Sequence, residues 1–72
     1  MSSPWPEVVF VVEEAPEGGW IAKALGAAIV TEADSLPELR AAVQDAVRCH
    51  FERGAGPQVI RLHFVRDEIL TA

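Results

Sequence analysis

At 72 residues, with one cysteine and a net charge of −5, the chain reads as one domain with no intrachain disulfide, and it matches the phosphate backbone of nucleic acid poorly. Its opening "MSSPWPEVVF" has no basic run followed by a long apolar one, and none of its apolar runs is long enough to span a bilayer. No signal peptide or membrane helix is therefore expected, and the expected compartment is the cytoplasm.

The charge is unevenly placed. Residues 1–38 carry seven acids (Glu7, Glu13, Glu14, Glu17, Glu32, Asp34, Glu38) against Lys23 alone, whereas residues 39–72 carry four acids and five bases. An acidic half of this kind suits a basic protein partner by electrostatic complementarity. The plainer reading is that the acids keep turns solvated and strand edges from pairing.

Pro4 and Pro6 hold the first residues extended. "EVVFVVEE" is β-branched and apolar, which predicts a strand from about Glu7 to Glu14. Its alternation sends Val8, Phe10 and Val12 to one face and Val9 and Val11 to the other, so both faces need cover. "APEGG" then makes a turn, with Pro16 setting φ and Gly18 or Gly19 supplying positive φ. "GWIAKALG" predicts a second strand, with Trp20, Ala22 and Ala24 opposite Ile21, Lys23 and Leu25. Gly26 breaks it, and "AAIVTEA" predicts a third.

The clearest element is "DSLPELRAAVQDAVRCHFERGAG". Ser35 with Glu38 forms a capping-box pattern, and Pro37 is tolerated in the first turn. Leu36, Leu39, Val43, Ala46, Val47 and Phe51 form one apolar stripe. The expected helix runs from about Ser35 to Arg53, with Arg48, His50 and Arg53 at its dipole-favoured end and Gly54 or Gly56 closing it. "QVIRLHFVRDEIL" predicts a last strand, about Gln58 to Arg66. The order is β-β-β-α-β, an α+β fold with one helix packed on a small antiparallel sheet. One helix covers one sheet face. The other, with Val9, Val11 and Ile21, is the expected oligomer interface, and Trp20 would pack on the helix side.

Signals for catalysis are weak. Cys49 and His50 are adjacent on the helix and project about 100° apart, so they form no nucleophile–base pair. Cys49 falls beside the stripe, as a small core or boundary residue. His50 and His63 would meet only if the helix crossed the last strand, and two histidines alone are a poor metal set. Arg61, His63 and Arg66 form at most a minor basic stripe. No phosphate loop, dinucleotide fingerprint or nucleophile elbow is present in the sequence. No cofactor, metal or catalytic residue is expected.

The strand and hairpin "VVFVVEEAPEGGWIAKAL", the passage "TEADSLPEL" and the helix "LRAAVQDAVRCHFE" together resemble the HicB-like antitoxins of bacterial toxin–antitoxin systems. The resemblance spans about residues 7–68 of a single domain, 1–72. It implies a partial ribonuclease H-like β-β-β-α-β fold without a catalytic carboxylate set. It also implies a partner, a small basic HicA-like ribonuclease toxin whose active surface the antitoxin masks. The shorter "KALGAAIVTEA" departs from the family's usual Pro- and Cys-bearing segment. The chain to Ala72 also leaves no room for the DNA-binding domain many members carry, so direct operator binding is not expected. The residues expected to meet the toxin are Glu13, Glu14, Glu17, Glu32 and Asp34. The alternative is an orphan structural or regulatory domain whose sheet face binds another protein.

Overall fold

The computed structural model describes residues 6–51, 54 and 56–72. It contains four strands, β1 (Glu7–Glu14), β2 (Trp20–Ala24), β3 (Val30–Ala33) and β4 (Val59–Phe64), with helix α1 (Leu36–His50) between β3 and β4. The element order is that expected, and the fold is α+β. The sheet order is β3-β2-β1-β4. β1–β2 and β2–β3 are antiparallel, but β4 runs parallel to β1, so the sheet is mixed rather than wholly antiparallel. The cause is the helix: α1 carries the chain back along the sheet, so β4 starts at the end where β1 starts. A return through a helix is what parallel neighbours require.

The register decides which residues share a face. Val12 pairs with Ala22 and with Phe64, and Phe10 pairs with Ala24 and with Leu62. Val8, Phe10, Val12 and Ala22 are buried on this side against Leu39, Val43 and Val47 of α1, with Ile29 closing the cluster. Phe10, Val12, Ala22 and Leu39 have no exposed surface at all. Ala22 leaves room for the helix, which lies over β2 and β3. β4 is less covered, and Phe64 remains half-exposed, its ring set edge-on to Trp20 at 6.2 Å.

β2, β3, α1 and β4 are all shorter than expected, β2 stopping at Ala24 and β4 spanning Val59–Phe64 rather than about Gln58 to Arg66. Residues 27–29 lie outside β3, because Gly26 (φ 81°) turns the chain and Ile29 is drawn into the core. The N-cap of α1 is as read: Ser35 is extended, and its Oγ accepts from the Glu38 N–H at 3.3 Å. The hydroxyl also donates to Glu38 Oε1 at 3.1 Å. At the other end α1 stops at His50, where Phe51 is extended and its N–H donates to the Val47 carbonyl. Neither Gly54 nor Gly56 is the cap. Gly56 instead packs against Phe51, where an added Cβ would lie 3.1 Å from the Phe51 Cβ. Arg53, expected in the last turn, lies outside the described residues.

Candidate functional site

The hairpin end of the sheet gathers the acids. β1 and β3 both finish there, β2 starts there, and α1 begins from it. Residues far apart in sequence are therefore brought to one end by the strand directions alone. The turn is closed by the Gly18 N–H donating to the Ala15 carbonyl and the Ala15 N–H donating to the Gly19 carbonyl, both at 3.0 Å. Gly18 and Gly19 take φ of 102° and 83°. Gly19 is also where β3 approaches, since a Cβ there would sit 2.8 Å from the Ala33 carbonyl oxygen. The missing side chain lets the end of β3, and with it Asp34, come up against the turn that carries Glu17.

The result is an open groove of about 930 Å³ at this end of the sheet, lined by Trp20 and Ala33 from the helix side, by Ile21 from the other side, and by Glu17, Glu32, Asp34 and Glu38. Three of the five acids expected to meet a partner lie in it. Glu38, which sequence reasoning assigned only to the helix cap, joins them because the cap sits at the same end. Glu13 and Glu14 line a neighbouring depression with Val65, Arg66 and Asp67. The five acids do not share one face. Glu13 and Glu32 stand either side of Ile21 in the cross-strand register, whereas Glu14 is level with Trp20 and Ala33.

On the sheet side away from α1, Val9, Val11 and Ile21 lie on one surface, each half-buried. Lys23 lies between Val11 and Val30, and His63 borders Val11 from β4. Val30 is 66% exposed, and Leu25 is 61% exposed. This face is thus an apolar field crossed by a row bearing Glu13 and Glu32 and a row bearing Lys23 and His63. Arg61 on the same face donates to Glu7 Oε2 at 3.2 Å. Arg61 is largely exposed and Glu7 only partly so, and a pair with one end in solvent contributes about 0–1 kcal/mol.

The histidines and the cysteine do not assemble. His63 lies on the open sheet face and α1 covers the other, so the sheet stands between His63 and His50. Cys49 is free and exposed rather than a boundary residue, because it lies two residues, about 200°, around the helix from buried Val47. Among the described residues no three His, Cys, Asp or Glu side chains are close enough to hold a metal ion. No helix among them is long and apolar enough to cross a membrane.

The chain is similar to a UPF0150 protein of Thermotoga maritima, with 41% identity over 61 residues, 85% of this chain and 86% of that protein. A UPF0150 protein of Archaeoglobus fulgidus is 52% identical over 52 residues, 72% of this chain and 77% of that protein. No protein-family profile matches the chain. No solved structure matches it either.

Proposed function

The chain belongs to the UPF0150 family, and we propose that it works as an antitoxin-like binding protein whose acidic end engages a small basic protein. The partner class implied by the HicB-like resemblance is a small ribonuclease toxin of the HicA-like type. The observation that carries the reading is the gathering of Glu17, Glu32, Asp34 and Glu38 around one groove, with Glu13 and Glu14 beside it. Like charges held this close repel one another, and a cationic surface laid over them relieves that repulsion and speeds encounter. Trp20 and Ile21, which line the groove, offer the apolar contact that acidic side chains alone lack. The reading assigns the chain no catalytic step, no cofactor and no direct contact with nucleic acid, and it places the complex in the cytoplasm.

Self-association through Val9, Val11 and Ile21 accompanies this reading. An apolar sheet face on so small a domain favours cover by a second copy. Such a dimer presents two acidic ends to two toxins.

The test is a titration against any small basic protein encoded beside it, with ribonuclease activity as readout. Binding that suppresses RNA cleavage and weakens steeply with salt is expected. The triple variant Glu14→Lys, Glu17→Lys, Asp34→Lys should bind more weakly, with a shallower salt slope. Unchanged affinity and slope would remove the acidic end from the interface. A protein that binds no basic neighbour but is captured by another partner would support the orphan regulatory reading instead.

A further inference from the structure

Among the described residues β4 ends the sheet, so its outer side is an edge. The Val59 N–H donates to the Pro6 carbonyl at 3.1 Å and the Val65 N–H to the Val12 carbonyl at 2.8 Å. With the parallel β1–β4 register between them, the backbone groups of Val59, Arg61, His63 and Val65 point to β1, and those of Ile60, Leu62 and Phe64 point outward. Soluble proteins blunt such an edge with proline, lysine or a bulge. The strand "VIRLHF" has no proline or lysine, and its register with β1 is unbroken from Glu7–Val59 to Val12–Phe64. The opposite edge is defended: β3 is four residues long and carries exposed Glu32, with exposed Asp34 just past its end.

The side chains of β4 are also short of cover. Ile60 and Leu62 pack against the core on the helix side but stay only partly buried, and Phe64 is 46% exposed. α1 lies over β2 and β3, so this row falls at the border of the helix layer. Val65, on the open side, is 39% exposed.

We infer that β4 pairs antiparallel with β4 of a second copy, about a two-fold axis through Leu62, joining the two four-stranded sheets into one. This register uses every outward backbone group of the strand. Leu62 exchanges both hydrogen bonds with the other Leu62, and Ile60 exchanges both with Phe64 on either side of the axis. A slip by two residues leaves Ile60 or Phe64 without a partner in the opposing strand. The same register lays Ile60 against Phe64 and Leu62 against Leu62 on the helix side, apolar on apolar. On the open side it lays Val59 against Val65, and Arg61, which brings Glu7 as its counter-ion, against His63. The charge of the whole molecule selects the direction. Acids collect at the hairpin end, where β4 finishes, whereas α1 finishes at the other end with Arg48 and His50 in its last turn. Antiparallel pairing sets the acidic end of each copy alongside the arginine-bearing end of the other, and parallel pairing would set the two acidic ends together. The association uses the edge rather than the open face, so it stands whether or not the open faces meet. No residue of β4 lines the acidic groove, which stays free for a partner.

The experiment follows amide hydrogen exchange of the full chain by NMR across a range of protein concentrations, with sedimentation alongside. The Ile60, Leu62 and Phe64 amides should exchange about tenfold or more slowly in the concentrated dimer than at the dilute limit, since only an added strand protects them. If the chain is a dimer in which these amides exchange freely, the edge pairing is wrong and the open-face association stands. If they are protected in the dilute monomer, the edge is covered within one chain and the inference falls. If the chain is monomeric at every concentration, both associations fall. A second arm tests the register with two variants that both carry Cys49→Ser, and Val11→Lys to keep the open faces apart. One adds Arg61→Cys and the other His63→Cys, both at exposed positions. Directly opposite residues between hydrogen-bonded pairs lie within reach of a disulfide. Mild oxidation of the mixture followed by peptide mapping should therefore give the disulfide between positions 61 and 63. Its absence from a mixture that still dimerises would overturn the register about Leu62.

Discussion

Gly19 and Gly18 sit side by side in the turn, both at positive φ, yet they are not equivalent. At Gly18 an added Cβ meets nothing within 4 Å, whereas at Gly19 it meets the Ala33 carbonyl oxygen at 2.8 Å. Gly18→Ala should cost about 1–2 kcal/mol, the left-handed backbone penalty alone. Gly19→Ala should cost clearly more, because β3 must also move away. Paired urea melts of the two variants measure the difference, and equal losses would show that β3 does not need the close approach. In the core, Leu39 is wholly buried among Phe10, Val12 and Val43, so Leu39→Ala should lose about 2–5 kcal/mol by chemical denaturation. A domain of this length has roughly 4–11 kcal/mol in all, so that one truncation removes a large share.

At the scale of the elements, the cap of α1 is the device most open to direct test. Ser35→Ala removes the acceptor for the Glu38 N–H and frees the Glu38 carboxylate from its hydroxyl partner. The expected loss is about 1 kcal/mol, read as a lower urea midpoint with an unchanged slope. The cap, the hairpin and the face assignments of β1, β2 and α1 were all legible in the sequence, because each depends on a local period or a turn residue. Strand direction was not. Nothing in "QVIRLHF" says whether the strand lies parallel or antiparallel to its neighbour, since that depends on the path of the helix before it. The candidate site was legible in part for the same reason. Glu13, Glu14 and Glu17 sit in one turn and its flank, so their grouping follows from sequence distance. That Glu32, Asp34 and Glu38 join them follows only from the antiparallel β2–β3 pairing and the helix start. The separation of His50 from His63 likewise needed the layer order, which no spacing encodes.

The molecule as a whole is polarised in two senses. Acids collect at the hairpin end, and one sheet face is covered by α1 while among the described residues no helix covers the other. The second asymmetry yields the prediction that depends least on any particular toxin. Val11 lies at the middle of the open face, in register with Lys23 and His63, so Val11→Lys sets a second ammonium beside Lys23 without touching the buried side of β1. If two copies meet there, desolvating this row should weaken self-association about tenfold or more. The fold should hold, because Val11 contributes nothing to the Phe10–Leu39–Val43 cluster. Melting of the parent chain should accordingly rise with protein concentration, as it does when association stabilises only the folded state, and the Val11→Lys melt should depend on concentration far less. Sedimentation equilibrium on both proteins gives the dissociation constants directly. A parent melt independent of concentration, together with identical sedimentation, would mean that the bare face does not meet a second copy. The apolar field of Val9, Val11 and Ile21 would then be left to the partner that the acidic end engages, since Ile21 belongs to that field and also lines the groove.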